Sequence, residues 1–178
     1  KKAGVDLVCL ETFTDLKEAR IALLAVKENT DLPVFVTLSF DENGLTMNGS
    51  TPSAVAVTLK SLGADAVGLN CSLGPDKLKG VVDEFLEFSP LPVIVKPNAG
   101  LPDPQTGGYT MNATDFAGYM AEFYEKGVLI MGGCCGTTPE YIKNLKEKIK
   151  DAKKGVRDNI ITDVVSGVNE TVVLNEPR

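Results

Sequence analysis

Apolar and polar positions follow a repeating order along the chain. Five short runs of mostly apolar residues are each followed by a polar turn and then by a longer segment with apolar residues at helical spacing. The starts of the runs are roughly 26 to 36 residues apart, which is the size of one strand, helix and crossover unit. Runs that are apolar on both faces are typical of parallel strands covered by helices, so the pattern predicts an α/β fold. The predicted strands are residues 5–10, 34–38, 66–69, 92–95 and 128–131.

The segments between the runs carry the start signals of helices. A threonine caps a helix through its side-chain oxygen, and proline is favoured at the first helical position. In the last helix, Ile142, Leu145 and Ile149 have the spacing of a stripe that faces the sheet. The predicted helix starts are Thr14, Thr51 with Pro52, Pro75, Thr114, and Thr138 with Pro139.

Two connections, residues 39–50 and 96–113, are longer than a plain crossover needs, and both follow the carboxyl end of a predicted strand. Loops of this length in a compact domain tend to be functional, and in parallel barrels the carboxyl ends of the strands form the active site. We therefore expect the polar and thiol groups at these strand ends to converge on one face. They are Glu11, Asn70, Cys71, Asn98, Cys134 and Cys135.

The five units are fewer than the eight of a closed barrel. They form either an open sheet or the carboxyl-terminal part of a (β/α)8 barrel from which three amino-terminal units are absent. Because the chain lacks an initial methionine and its first predicted strand starts at residue 5, we expect it to be cut from a larger protein. The units occupy residues 1–154. Residues 155–178 alternate like an extended segment without a partner, which we interpret as a linker toward a following domain.

The segment GGCCG, with Cys134 and Cys135, is the strongest chemical signal. Adjacent side chains on a strand point to opposite faces, so both cysteines reach one metal only if the chain leaves strand geometry, which the flanking glycines Gly132, Gly133 and Gly136 permit. Cys71 is a third candidate, and the chain has no histidine. Three thiolates without a fourth protein ligand leave an open position, as in catalytic zinc sites. Two buried small side chains or a strained vicinal disulfide are the alternatives for the pair.

The charge and the cysteine usage exclude several classes of protein. The net charge of −6 argues against nucleic acid as a partner, and the apolar runs are too short to cross a membrane. The amino terminus shows no signal-peptide pattern. Four cysteines, two of them adjacent, are unlike a disulfide framework, so we expect a reducing, cytoplasmic environment.

Four segments together carry a resemblance to a known family: DLVCLETFTD, GLNCSLGP, VKPNAGLP and MGGCCGTTPEYI. In this order and spacing, through roughly residues 3–150, they resemble the homocysteine S-methyltransferase family. The resemblance implies an eight-stranded α/β barrel in which Cys71, Cys134 and Cys135 bind zinc. It also implies methyl transfer to the thiolate of L-homocysteine, giving L-methionine. The family's early segments have no counterpart here, so the resemblance favours the partial barrel over the open sheet.

The resemblance also implies roles for residues beside the metal. Glu11, in the pair with Thr12, is expected to hold the substrate's amino group, and Asn98 is expected beside the metal. The segment NAGLP and the tail TVVLNEPR are most similar to the amino-terminal module of the cobalamin-dependent members. For these members a folate-binding domain follows, and methylcobalamin, recharged from methyltetrahydrofolate, is the donor that another domain binds.

Two alternatives stay open at this point. A member without cobalamin would use betaine or S-methylmethionine as the methyl donor. A protein of another class would use the cysteines as a structural or redox zinc site, and such a site would be closed by a fourth protein ligand. The spare cysteine is Cys9, two residues before Glu11 on the same side of its strand, where we expect core packing.

Overall fold

The structure, a computed structural model, describes residues 1–174. Within them, five parallel strands form one sheet whose spatial order is the order of the chain. Successive parallel neighbours joined by helices are the arrangement found in the wall of a (β/α)8 barrel. The predicted parallel α/β sheet is confirmed, and it is consistent with part of a barrel. The strands are β1 Val8–Phe13, β2 Val34–Leu38, β3 Ala66–Asn70, β4 Val93–Lys96 and β5 Ile130–Met131.

The predicted limits of the first strand are wrong by three residues. The strand begins at Val8, because β1 pairs only with β2, whose first residue Val34 is the partner of Val8. Val5 is 48% exposed and lies before the paired segment. The strand continues through Glu11 to Phe13, and the register shifts between Leu10 and Phe13. This bulge places Thr12 in the left-handed region, with φ of 66°.

Five α-helices follow the strands within the described part of the chain. Thr51 caps α2 as predicted, because its Oγ1 accepts a hydrogen bond from Ala54 N at 3.2 Å. Thr14 is not the cap of α1, since Asp15 accepts from Lys17 N at 2.7 Å. Pro75 begins a short 3-10 turn rather than α3 itself. The helices are α1 Leu16–Asn29, α2 Pro52–Ser61, α3 Lys79–Phe88, α4 Ala113–Lys126 and α5 Pro139–Ile149.

The core forms between the helices and the sheet. Leucine, valine and phenylalanine side chains of α1 to α4 are buried against the apolar strands. In α5 the predicted stripe is wrong at Ile142, which is 45% exposed. Tyr141 packs there instead, edge-on against Phe116 with ring centroids 5.4 Å apart, because its hydroxyl donates to Met111 O at 2.6 Å. In residues 1–174, no helix has the length and apolar character needed to cross a membrane.

The predicted tail without a partner is also wrong. Strands β6 Val164–Ser166 and β7 Thr171–Val173 form an antiparallel hairpin that lies against α2. Thr58 Oγ1 and Ser166 Oγ are 2.9 Å apart, and Thr171 Oγ1 donates to Ser53 Oγ at 3.0 Å. Upstream, Arg157 donates to the carbonyls of Ser89 and Leu91 at 2.7 and 2.9 Å.

The end residues of both strands, Val164, Ser166, Thr171 and Val173, are partly buried. This alternation of valines and hydroxyl groups is too short for the sequence to predict which element the hairpin contacts. Residues 175–178, the end of the predicted linker, lie outside the described residues. That the tail leads to a following domain stays a prediction.

Candidate metal centre

Three cysteine sulfurs lie together beyond the carboxyl ends of β3 and β5. Cys71 Sγ is 3.7 Å from Cys135 Sγ, and Cys134 Sγ is 3.9 Å from Cys135 Sγ. All three sulfurs lie within 4.8 Å of one another. A tetrahedral zinc ion with Zn–S bonds of about 2.3 Å places its sulfur ligands about 3.8 Å apart. The donor set and the spacing of the cluster therefore fit zinc, as the sequence predicts.

An unusual backbone conformation turns Cys71 out of strand geometry. Cys71 and Ser72 have φ angles of 65° and 69°, in the left-handed region that residues other than glycine rarely adopt. This conformation costs about 1–3 kcal/mol of folding free energy for each such residue, and it persists only where surrounding contacts hold it in place. Here Cys71 N donates to Lys96 O at 3.0 Å, and Ser72 Oγ donates to Phe40 O at 2.6 Å. The sequence gives no signal for this turn, because neither residue is a glycine.

The glycines around the cysteine pair serve two different purposes. Gly136 has a φ of 81°, as the predicted turn requires, and a Cβ there would overlap the ring of Tyr109. Gly132 and Gly133 lie outside the left-handed region, and Gly133 is needed for space. A Cβ at Gly133 would lie 2.5 Å from the side chain of Thr137. The prediction of permissive backbone angles is therefore confirmed only at Gly136.

Asn98 joins the two loops that carry the cysteines. It is 5% exposed, and its Oδ1 accepts from Cys135 N at 3.0 Å. Its Nδ2 donates to Ser72 O at 3.2 Å. Asn98 therefore lies beside the cluster as expected, and both ends of its amide hold the protein's own backbone. A contact with substrate stays a prediction.

Asn70 connects the cluster to the bulge of β1. It is 1% exposed, and its Oδ1 accepts from Thr12 N at 2.9 Å and from Thr37 Oγ1 at 2.7 Å. Its Nδ2 donates to Thr12 Oγ1 at 2.7 Å and lies 3.8 Å from Cys134 Sγ. The sequence places Asn70 at a strand end but does not reveal this connecting role. Its only signal is an amide at the end of a buried apolar strand.

Glu11 forms an ion pair with Lys96, a contact that the sequence does not predict. Glu11 Oε2 and Lys96 Nζ are 2.5 Å apart, although β1 and β4 are separated by two strands. In a flat sheet those strands would lie about 14 Å apart, so the contact indicates that the sheet curves toward this side. We call the side that carries Cys9, Glu11 and the Lys96 ammonium the inner face.

Cys9 is exposed on the inner face, so the prediction of core packing is wrong. Its strand, β1, has a neighbour on one side only among residues 1–174. Lys96 Nζ lies 3.8 Å from its sulfur. Cys9 does not belong to the group of three sulfurs. All four cysteines, each in the described part of the chain, are free thiols, so the vicinal disulfide is absent there.

The thiols of the cluster influence one another's ionisation. Burial raises the pKa of the Cys71 thiol to about 11. The hydrogen bond with Cys71 lowers the pKa of the Cys135 thiol. Three thiolates this close repel one another, and a divalent cation offsets that repulsion while keeping its ligands deprotonated.

Comparisons with known proteins give the relatives of this chain. The sequence model described as homocysteine S-methyltransferase matches residues 1–149. Methionine synthase of Mycobacterium leprae (strain TN) is 33% identical over 163 residues, which cover 85% of this chain and 13% of that protein. The chain therefore spans only a small part of this curated relative.

Two solved structures of the homocysteine methyltransferase MmuM from Escherichia coli share the fold. The metallated form has a TM-score of 0.68 at 23% identity, covering 83% of this chain and 46% of that chain. The apo form has a TM-score of 0.66 at 23% identity, covering 83% and 51%. The extent of the family match and the identity to the mycobacterial relative establish that the chain belongs to the homocysteine S-methyltransferase family.

Proposed function

We propose that this chain is the homocysteine-binding part of an enzyme that transfers a methyl group to the sulfur of L-homocysteine, giving L-methionine. The observation that carries the proposal is the group of three cysteine sulfurs at the carboxyl ends of the strands. A site of this kind at this end of a parallel sheet is where barrel enzymes bind their substrates. The family match and the mycobacterial methionine synthase support the same reaction.

Cys71, Cys134 and Cys135 would hold zinc as three of its four ligands. Zinc, when bound, supplies Lewis acidity that lowers the pKa of a thiol at the fourth position, so that the thiol is ionised at neutral pH. The three cysteinates carry one more negative charge than a divalent ion neutralises, and this surplus keeps the substrate sulfur electron-rich. The existence of a metallated form of MmuM supports metal binding in the family.

Neighbouring residues would position the rest of the substrate. The Glu11 carboxylate would accept hydrogen bonds from the α-ammonium. Thr12 Oγ1 accepts from Asn70, which leaves its own proton free to be donated to a substrate oxygen. Asn98 would keep Cys71 and Cys135 in place through its bonds to Ser72 O and Cys135 N.

The whole enzyme would be larger than the described part. Residues 1–154 would form five of the eight units of a closed (β/α)8 barrel, because β1 and β5 each pair on one side only among the described residues. Residues 155–178 would lead to a folate-binding module. The partners would be this module and a cobalamin module of the same parent chain, in the cytoplasm, without nucleic acid or membrane.

Methylcobalamin, recharged from methyltetrahydrofolate and bound by another domain, is the donor we favour. The support is the similarity to a methionine synthase of which this chain covers 13%. Betaine or S-methylmethionine is the second candidate donor, because the family match names homocysteine S-methyl transfer without naming a donor. A structural or redox zinc site is less well supported, because the group of three sulfurs includes no fourth ligand from residues 1–174.

The reaction and its donor are tested together with the full-length, zinc-loaded protein. We expect methyl transfer to L-homocysteine from methylcobalamin, and none from betaine or S-methylmethionine. Transfer is measured as L-methionine formed from isotopically labelled donor. If methyl transfer occurs from betaine or S-methylmethionine and not from methylcobalamin, the proposed donor is wrong. Absence of transfer from all three donors, with zinc bound, would favour the structural or redox site.

Substitution of Glu11 by glutamine tests the substrate contact. The change removes a charge-assisted hydrogen bond to the ammonium, which is worth about 1.5–3 kcal/mol, so we expect KM for homocysteine to rise by about 10-fold or more. The zinc content is expected to stay unchanged, because the thiolates are untouched. KM is measured by steady-state kinetics and zinc by elemental analysis.

The matched control is Glu122→Gln, because Glu122 forms an ion pair of 2.7 Å with Lys79 outside the cluster. This control is expected to leave KM unchanged. Loss of zinc in Glu11→Gln would show instead that Glu11 belongs to the metal shell.

A further inference from the structure

The ion pair between Glu11 and Lys96 lies on the inner face. Lys96 ends β4 and Glu11 lies in β1, near the strand end at Phe13. The side chain of Lys96 is 21% exposed and that of Glu11 is 49% exposed. The lysine side chain is therefore the more enclosed of the two, while the carboxylate is accessible to a ligand.

Lys96 is fixed at both its backbone and its side chain to segments that carry the cysteines. Its carbonyl accepts from Cys71 N at 3.0 Å. Its aliphatic stem lies beside Gly132, where a Cβ would be 3.3 Å from Lys96 Cγ. Glu11 is fixed in turn through Thr12, whose N–H donates to Asn70 Oδ1 at 2.9 Å. The positions of the two charges relative to the sulfurs are therefore set by short connections.

Both groups of the pair keep hydrogen-bonding capacity. An ammonium has three donors, and a carboxylate has two oxygens with about four acceptor positions. Lys96 Nζ donates to Oε2 of Glu11, which leaves Oε1 for another donor. An α-amino acid presents one positive and one negative group on the same carbon atom. Such a zwitterion matches a fixed pair of opposite charges and leaves the total charge unchanged.

We propose that Lys96 is a specificity-determining residue that binds the α-carboxylate of the substrate while Glu11 binds its α-ammonium. The inference rests on the proposed function and deepens it, since it assigns the residue that recognises the α-carboxylate of the substrate. Charge-assisted hydrogen bonds at both groups reject thiols that lack either charge. The ion pair also keeps the Glu11 carboxylate in place before the substrate arrives.

The test compares three thiols on the full-length, zinc-loaded protein. The first is L-homocysteine. The second is aminopropanethiol, which lacks the carboxylate. The third is the mercaptobutanoic acid with its thiol on the terminal carbon, which lacks the ammonium. We expect Lys96→Gln to weaken the binding of homocysteine and mercaptobutanoic acid by about 10-fold or more. Binding of aminopropanethiol is expected to stay the same or to tighten. Glu11→Gln is expected to give the reverse pattern, and dissociation constants are measured by calorimetry.

A second measurement is independent of the metal. L-Methionine carries both charges without a thiol, and its binding to the metal-free protein is expected to weaken in Lys96→Gln and to be kept in Lys96→Arg. The control variant Lys126→Gln breaks an ion pair of 2.6 Å with Asp83 between α4 and α3, and is expected to change neither measurement.

Two results would overturn the proposal. If Lys96→Gln weakens homocysteine and aminopropanethiol equally, Lys96 acts only by orienting Glu11. If it weakens neither thiol and leaves L-methionine binding intact, Lys96 has no part in recognition.

The failure of this inference is distinguishable from failure of the proposed function. Methyl transfer to homocysteine without discrimination at Lys96 refutes the inference alone. Lys96-dependent binding of L-methionine without methyl transfer refutes the proposed function alone.

Discussion

Replacement of Cys71 by alanine is expected to remove both stoichiometric zinc and methyl transfer from the full-length protein. The parent protein is expected to hold about one zinc per chain at Zn–S distances of about 2.3 Å. Without Cys71, the remaining sulfurs belong to the adjacent residues Cys134 and Cys135, and two ligands do not complete a stable site. Substitution of residues that only hydrogen-bond to metal ligands lowers metal affinity by about 10- to 100-fold. Loss of a ligand itself is therefore expected to lower zinc affinity by more than about 100-fold. Zinc per chain is measured by elemental analysis after dialysis.

Cys9→Ala is the matched control for this substitution. Cys9 lies on the inner face near Lys96, yet its sulfur is outside the group of three. The control is expected to keep full zinc content and turnover. Retention of zinc and turnover in Cys71→Ala, or loss of zinc in Cys9→Ala, would show that the three-sulfur assignment is wrong.

The parallel strands are readable from the sequence because both of their faces are apolar. For β2 the predicted residues 34–38 are also the observed ones. The limits of β1 are harder to predict from the sequence, because they depend on where the neighbouring strand begins and not on the residues of β1 itself. The tail hairpin is not predicted for a related reason, since its strands are only three residues long and hydroxyl groups make some of its contacts with α2.

The sequence predicts the convergence of the three cysteines, because both the residue type and the flanking glycines indicate a metal site. The partners of Glu11 and Asn70 are not readable in this way. Lys96 is 85 residues from Glu11, and Thr12 is 58 residues from Asn70, so each contact depends on the order and curvature of the strands. The positive φ of Cys71 likewise depends on bonds that its loop makes with Lys96 and Phe40.

Replacement of Gly68 by alanine is expected to destabilise the sheet strongly. Gly68 lies in β3 opposite Ile94 of β4, and a Cβ at Gly68 would overlap the Ile94 carbonyl. Both groups are backbone, so neither moves aside by rotating a side chain. Overpacking of this kind costs about 3 kcal/mol at the upper end of its usual range, which corresponds to a fall of about 6–12 °C in the melting temperature. Thermal unfolding of the full-length protein measures it.

The same substitution at Gly118 provides the control. Gly118 lies inside α4, and a Cβ there would meet nothing within 4 Å. Alanine stabilises a helix interior by about 1 kcal/mol relative to glycine, so Gly118→Ala is expected to raise the melting temperature slightly. Because β3 ends at Asn70, immediately before Cys71, Gly68→Ala is also expected to weaken zinc binding, whereas Gly118→Ala is not. Equal melting temperatures for the two variants would show that β3 and β4 separate at Gly68 without cost, contrary to the close approach of their backbones.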